Sequence, residues 1–580
     1  MSQNKKNRFI PLIVAVSVVA GILLGNFYAN HFAGHRLSII NTSSNKLNDL
    51  LHFIDDQYVD TVEINDLVER SMPQILGELD PHSIYIPVQK AQQANDDLAG
   101  SFSGIGVQFT IRKDTIHINN VIKGGPSEKV GLQPGDRVVK VNGEDFVGSI
   151  CTNEEAMRRL KGEKGSQVKL EVKRRGEDKL LPFTIVRGDI PVNSVKAAYM
   201  INKEVGYIQI DKFGETTYPE MLTALAKLNQ AQFKGVIIDL RGNTGGYMGA
   251  AIQMVNEFLP ANRLIVYTQG RKSPREEYRS DGRGIYQDLP LVVLVDEGSA
   301  SASEIFAGAI QDNDRGMVVG RRSFGKGLVQ QPIEFGDHSV IRLTIARYYT
   351  PAGRCIQKPY KKGHDEDYEL DLLTRYEHGE FFSQDSIKQT GEEYKTVMGR
   401  TVYGGGGIMP DVFVPQDTTN VTSYYRMAIN GGYVIQFAYE YTDDNRAELG
   451  KQPDCQALAK YLVKKNIVEE FVRYADKLGL KRRNIMVQTS HKLLERVLLG
   501  NIIYIIQNDE EYAKFLNQDD PTITKTLELF KNNETRPKAK EAEMQNRKDA
   551  KKVAFMPVRV PGRVYADKRS DYSLLTTHNS

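Results

Sequence analysis

Three short segments of this sequence carry residue types that could do chemistry. The first is Asp296-Glu297-Gly298-Ser299-Ala300-Ser301-Ala302-Ser303-Glu304, which follows an apolar run at 291–295 and precedes a helical pattern. Small residues at a strand-to-helix turn expose a hydroxyl while backbone N–H groups converge around it, and the positive end of the helix favours an oxyanion. A serine of this run can therefore be a nucleophile, or Ser303 can simply cap the helix. The second is the Gly-rich turn Arg241-Gly242-Asn243-Thr244-Gly245-Gly246 after the apolar run 235–240. Its amides can face a ligand, because glycine tolerates close approach. The third, Gly320-Arg321-Arg322-Ser323-Phe324-Gly325-Lys326-Gly327, nearly spells a phosphate-binding GxxxxGK[ST] loop, but Gly327 stands where the metal-binding hydroxyl belongs. Taken singly, each reads at least as easily as an ordinary cap or turn. Together, a helix-start serine, a glycine-flanked Lys326 and an amide-rich turn within one α/β unit are the parts of a Ser–Lys acyl-transfer site. Such a lysine must be neutral, and burial away from carboxylates lowers its ordinary value of about 10.4. No Ser-His-Asp set or HExxH motif competes, since none of the 10 histidines stands in a comparable segment.

The elements that must hold these segments follow from periodicity. Across 190–415, strands at 205–210, 235–240 and 289–295 alternate with helices at 218–229, 249–258 and 303–311, the rhythm of an α/β core with buried strands. Residues 360–400 read as a polar insertion in it. Upstream, 100–187 consists of short alternating runs, such as Gln167-Val168-Lys169-Leu170-Glu171-Val172, with one amphipathic helix at 153–160. That pattern predicts a compact, mainly β domain. Residues 36–98 read as helical, and Leu47, Leu50, Leu51 and Ile54 predict a core-facing stripe. Helical periodicity returns over 420–530. The tail, 531–580, holds twelve Lys/Arg against six Asp/Glu and reads as basic and disordered.

A chain of 580 residues exceeds what one core can organise. Lys plus Arg total 76 against 73 Asp plus Glu, a net charge of +3 that excludes a chain-wide polyanion binder, so no nucleic-acid partner is expected. The 3 cysteines, Cys151, Cys355 and Cys455, exclude a disulfide scaffold and a zinc ribbon. At the amino terminus Lys5, Lys6 and Arg8 precede an uncharged apolar run over 9–25 that continues weakly to Ala29. With that extension the run approaches the ~20 residues of a membrane-spanning helix. The basic flank stays cytoplasmic, which predicts an anchor within 1–30, a single pass of the inner membrane and an exported, periplasmic remainder. A cleavable signal peptide, with a shorter apolar core, is the rival reading.

Gly298-Ser299-Ala300-Ser301-Ala302-Ser303-Glu304-Ile305 followed by Phe324-Gly325-Lys326-Gly327 resembles the carboxy-terminal processing (tail-specific) serine proteases. Leu79-Asp80-Pro81-His82-Ser83, Asp239-Leu240-Arg241-Gly242-Asn243-Thr244-Gly245-Gly246, Ala346-Arg347-Tyr348-Tyr349-Thr350-Pro351 and Gly407-Ile408-Met409-Pro410-Asp411 extend the likeness over roughly 45–415. The resemblance implies a crotonase/ClpP-like α/β protease core at 190–415 with Ser301 as nucleophile. Lys326, 25 residues further on, would be the general base and Gln330 the residue that orients it. It places the oxyanion against the amide of Ala302 and one from Gly245 or Gly246, and gives Glu304 either a supporting role or a place in the first helical turn. The β domain is similar to PDZ domains: Ser101-Phe102-Ser103-Gly104-Ile105-Gly106-Val107 matches their carboxylate-binding loop, with the amides of Ile105, Gly106 and Val107 as donors.

The expectation is therefore a membrane-anchored serine endopeptidase that captures exposed C-terminal tails of protein substrates and cleaves through an acyl-enzyme. It needs no metal, nucleotide or organic cofactor. The resemblance extends to a homo-oligomer assembled through terminal helices. A catalytically silent, PDZ-bearing tail-binding scaffold is the alternative, and an NTPase using the GKG loop is a third.

Overall fold

Gly235–Asp239 and Leu291–Val295 are buried at every position, as strands covered on both faces must be. They are the centre of a six-stranded sheet in the order Val195–Met200, Val205–Ile210, Gly235–Asp239, Leu291–Val295, Met317–Gly320, Val412–Phe413. Every pair is parallel except the first. The computed structural model describes residues 36–91, 99–361, 366–387 and 391–538.

Alternate strand residues point to two different covers. Ile208, Ile238 and Val293 pack with the helices Thr217–Gln230, Met248–Asn256 and Ala302–Asp312. Tyr207, Ile237, Val292 and Leu294 face Ala513, Ile523 and Leu529, on the helices Asp509–Asn517 and Pro521–Lys531. The far carboxy-terminal helices thus complete the second face of this sheet, while the helices from Ser423–Asn430 to His491–Ile506 share a separate core around Phe437, Phe471, Leu498 and Ile502.

A second sheet is built on the long strand Val340–Tyr349, which pairs with Ile84–Ile86, Leu264–Gln269 and Leu328–Glu334. Ile84–Ile86 is therefore a strand within the span read as helical: three residues suffice to add an edge but leave no readable period. The polar insertion carries the helix Asp371–Glu377 and the hairpin Glu393–Lys395 with Thr401–Tyr403.

The β domain is an antiparallel sheet in which Val107–Arg112 forms one edge, paired on one side only with Thr115–Val121. Gln167–Lys173 alternates buried and outward residues, and Asn153–Leu160, capped by Thr152, buries Ala156 and Leu160. Entry and exit pass through a two-stranded stem, Ser101–Gly104 against Gly188–Pro191.

The expected core-facing stripe differs. In the helix Arg36–Gln57, Leu47 and Leu50 are 49% and 52% exposed while Leu51 and Ile54 are half-buried, so the described residues cover the stripe only in part. Periodicity reports that a helix has an apolar face, not which surface covers it. The apolar run 9–25 and the tail beyond 538 lie outside the described residues, among which no helix is long and apolar enough to cross a membrane.

Candidate active site

The buried strand Leu291–Val295 ends in a turn whose three serines meet different fates. Ser299 and Ser303 are fully buried, and their hydroxyls donate to the carbonyls of Leu240 and Asn243 at 2.8 Å each. Ser301 alone is partly exposed. It is also the N-cap of Ala302–Asp312, at φ 55° and ψ −112°, so Ser303 is not the cap but a residue of the first turn. Positive φ at a non-glycine costs on the order of 1–3 kcal/mol and persists only where surrounding bonds enforce it.

Glu304 supplies those bonds. It is 1% exposed, and its Oε2 accepts from the N–H groups of Ser301 (2.8 Å) and Lys326 (2.9 Å). Its Oε1 accepts from Gly325 N–H (2.8 Å) and Ser323 Oγ (2.5 Å). One carboxylate therefore ties the serine turn to the lysine turn. Burial pushes this carboxyl up to about 7, against the pull of its four donors. Tyr348, fully buried on Val340–Tyr349, repeats the tie from the carbonyl side, its hydroxyl reaching the carbonyls of Ser301 (3.0 Å) and Lys326.

Lys326 Nζ donates to Gln330 Oε1 at 3.1 Å. Burial lowers its proton affinity, the Arg342 guanidinium adds to that, and the Glu304 and Asp80 carboxylates oppose it. The expected absence of carboxylates is thus not what lowers the lysine; desolvation outweighs two of them. Among the described residues no hydrogen bond joins the Ser301 hydroxyl to the Lys326 amine; Glu304 and Tyr348 join their backbones.

The Gly-rich turn is stitched to the same place. Asn243 C=O accepts from Ala300 N–H at 3.0 Å. A Cβ on Gly245 (φ 102°) would lie 2.7 Å from both Ala300 O and Ser301 Cβ, so only glycine fits. The two glycines divide: Gly245 N–H donates to Asn243 Oδ1 at 2.9 Å, whereas the N–H groups of Gly246 and Ala302 meet no acceptor among the described residues.

These bonds also dispose of the phosphate-loop reading. The amides of Gly325 and Lys326 are committed to Glu304, and that of Gly327 to Gln357 Oε1 at 2.8 Å. A carboxylate occupies the place where such a loop would cradle phosphate. His82, half-buried and held neutral with its proton affinity lowered to about 4, bonds Tyr368 at 2.7 Å; His338 bonds Glu334 at 2.6 Å in an exposed position. Among the described residues no group of three or more His, Cys, Asp or Glu could hold a metal ion.

In the β domain the carbonyl of Ile105 accepts from Ser127 N–H (3.0 Å) and Oγ (2.6 Å), and that of Gly106 from Ile122 N–H (3.0 Å). Gly106 takes φ 77° where a Cβ would meet Ile190 at 3.0 Å. The loop Ile105, Gly106, Val107 leads into the open edge Val107–Arg112, which has room for an added strand. Sequence reasoning assigned no role to Tyr348 or to the His82 carbonyl. The signal for the first was the Ala346–Pro351 motif, noted without chemistry; a carbonyl carries no side-chain signal.

A serine turn, a partly buried lysine and an amide-rich turn on an α/β core define a serine peptidase in outline, and comparison with known proteins identifies which. The model for peptidase family S41 matches residues 204–370, a PDZ-domain model 103–185, and a family of unknown function 424–508. A carboxy-terminal-processing protease of Bartonella bacilliformis is 36% identical over 318 residues, 54% of this chain and 72% of its own. The carboxy-terminal processing protease CtpA of Bacillus subtilis is 34% identical over 373 residues, 63% of this chain and 79% of its own. Among solved structures, a photosystem II D1 C-terminal processing protease is 24% identical, covering 63% of this chain and 92% of its own, with a TM-score of 0.32. The chain belongs to the carboxy-terminal processing proteases of family S41: it is a serine protease that carries a PDZ domain.

Proposed function

We propose that the protein is a membrane-anchored endopeptidase in which the PDZ domain captures a substrate's C-terminus and Ser301 and Lys326 cleave the chain upstream of it. The substrate tail adds as a strand to Val107–Arg112, its carboxylate against the amides of Ile105, Gly106 and Val107. Ser301 Oγ attacks the scissile carbonyl carbon while neutral Lys326 takes the hydroxyl proton. The oxyanion rests against the N–H groups of Ala302 and Gly246, which have no other acceptor among the described residues. The lysine ammonium then protonates the departing amine, leaving an acyl-serine. Water attacks the ester, Lys326 takes its proton and returns it to Ser301 Oγ, and a shortened chain with a new carboxylate leaves. Gln330 keeps the amine oriented throughout.

The observation that carries this reading is the buried Glu304 carboxylate, which binds the Ser301 and Lys326 backbones at once beside a lysine whose proton affinity burial has lowered. Serine and amine meet when substrate tightens the site, since catalytic hydrogen bonds are commonly long before substrate binds. The basic-flanked run 9–25 supports an inner-membrane anchor with the protease on the exported side, and the exposed Leu47, Leu50 and Phe53 on the helix Arg36–Gln57 support a homo-oligomer.

Ser301→Ala and Lys326→Ala test the chemistry. Each abolishes cleavage of an unstructured polypeptide while leaving binding of its C-terminal peptide unchanged by titration calorimetry. Cleavage at the wild-type rate by Lys326→Ala refutes the general-base assignment.

A further inference from the structure

Gln330 has two hydrogen-bonding ends, and what holds the second decides what the first presents. Its Oε1 accepts from Lys326 Nζ at 3.1 Å, and its Nε2 donates to the main-chain carbonyl of His82. A carbonyl can only accept, so His82 forces the amide nitrogen to its own side and the oxygen toward the lysine. A neutral amine that donates to that oxygen has its lone pair turned elsewhere, available to a hydroxyl proton. The orientation of the general base is thus set by a backbone atom from a part of the chain 248 residues away.

That atom is held in two ways. Asp80, 5% exposed, folds the turn around itself: its Oδ1 accepts from the N–H groups of His82 and Ser83 at 2.9 Å each, and its Oδ2 from Ser83 Oγ at 2.6 Å. The turn is fastened to Thr344, whose Oγ1 donates to Asp80 Oδ1 at 3.1 Å and whose N–H donates to Ser83 Oγ at 3.1 Å. Thr344 is also the cross-strand partner of Gln330, at a register shift between Val329 and Gln330. The His82 ring supplies the second hold. Its Nε2 lies 2.7 Å from the hydroxyl of Tyr368, on the polar insertion. That hydroxyl accepts from Gln357 Nε2 at 3.2 Å and so has its own proton free for His82. Gln357 Oε1 in turn accepts from Gly327 N–H, the residue after the lysine. A closed circuit results, from Gly327 through Gln357, Tyr368, His82 and Gln330 back to Lys326.

We propose that the Asp80–Ser83 turn and Tyr368 are positioning elements for the general base, fixing through the His82 carbonyl the face that Gln330 shows to Lys326. The inference rests on the Ser301–Lys326–Gln330 reading and makes the amino-terminal segment and the polar insertion parts of one catalytic frame. In this role all of these groups act through Gln330.

The test measures steady-state cleavage of an unstructured polypeptide ending in a free carboxylate, from pH 6 to 10, by the full chain and by Tyr368→Phe and Asp80→Asn, with melting temperatures alongside. Tyr368→Phe keeps the ring packing and lowers kcat about tenfold, the worth of one hydrogen bond in a constrained site. Asp80→Asn weakens the turn and lowers kcat about a hundredfold, as small misplacements of catalytic groups do. KM stays within about twofold in both, because the loss falls on the transition state. The alkaline plateau of kcat drops in both variants, which a general loss of stability would not produce; the midpoint of its rising limb stays in place in Tyr368→Phe and moves to lower pH in Asp80→Asn, because the Asp80 charge raises the lysine's proton affinity. A wild-type plateau in both variants, or an unchanged plateau with a displaced midpoint, overturns the proposal. Activity that survives Ser301→Ala and Lys326→Ala overturns the underlying site reading and this inference with it. Activity lost in those two but intact in Tyr368→Phe and Asp80→Asn overturns the positioning role alone.

Discussion

The helix Ala302–Asp312 is buried along its whole length and carries a buried carboxylate near each end, with opposite solutions to the same electrostatic problem. At the amino-terminal end Glu304 accepts four hydrogen bonds, three from backbone amides and one from a serine, with no cation among the described residues bonded to it. The helix dipole also favours it there. At the carboxy-terminal end the dipole is unfavourable, and Asp312 is met by Arg354, both fully buried, at 2.7 Å. Just beyond, Arg400 bridges Asp314 (2.6 Å) and Asp411 (2.5 Å). Arginine fixes a charge permanently, whereas amides hold a carboxylate that can still take up a proton near neutrality. The second arrangement stands beside the lysine, which in the proposed reaction gives up its own proton: a fixed ionic bond there would hold the lysine charged.

Breaking the paired end has the largest expected effect. Arg354→Met leaves Asp312 buried without its partner and costs about 3–5 kcal/mol, read as a loss of denaturation midpoint with little change in kcat for the fraction still folded. At the other end, Glu304→Gln sets an amide N–H against N–H donors and costs about 1–3 kcal/mol. It also removes a pH dependence. The wild-type carboxyl holds its proton up to about 7 when folded, against about 4.3 unfolded, so between those values the native state binds more protons and stability falls as pH rises. The fall amounts to about 4 kcal/mol and is complete above the folded value. Denaturation at pH 5 and pH 8 shows it flattened in the variant. Because the Glu304 charge raises the lysine's proton affinity, the same substitution moves the rising limb of activity to lower pH. The smallest effect belongs to Tyr348→Phe, which releases the hydroxyl's tie between the Ser301 and Lys326 backbones and costs about 1 kcal/mol, with a matching loss in kcat.

Much of this was legible in residue order. The fully apolar run ending at Val295 could only be a strand covered on both faces, and the alternation of Gln167–Lys173 announced a half-buried one. Small residues around Ser301 and glycines around Lys326 marked two turns, and the structure draws those turns together. What could not be read was made of contacts without a compositional trace. Glu304 looked equally like a first-turn helix residue, and it is one; that it also reaches Lys326 depends on a chain crossing 22 residues later. Gln330 meets a carbonyl, and every residue has one. The stripe at Leu47 and Leu50 had the right spacing for a core face, yet spacing cannot say which surface would meet it. The two helices that cover the back of the central sheet, Asp509–Asn517 and Pro521–Lys531, lie far from it in sequence and were visible only as helices.

The two-stranded stem beneath the PDZ domain has a consequence for how such an enzyme changes over time. Since Ser101 lies opposite Pro191 and Gly104 opposite Gly188, the chain departs from the catalytic body and rejoins it at neighbouring points. Everything between is a cassette with adjacent ends. A different recognition domain could be spliced in there, or the span replaced by a short loop, without rethreading a single strand of the peptidase, so taste in substrates can drift while the cutting machinery stays put.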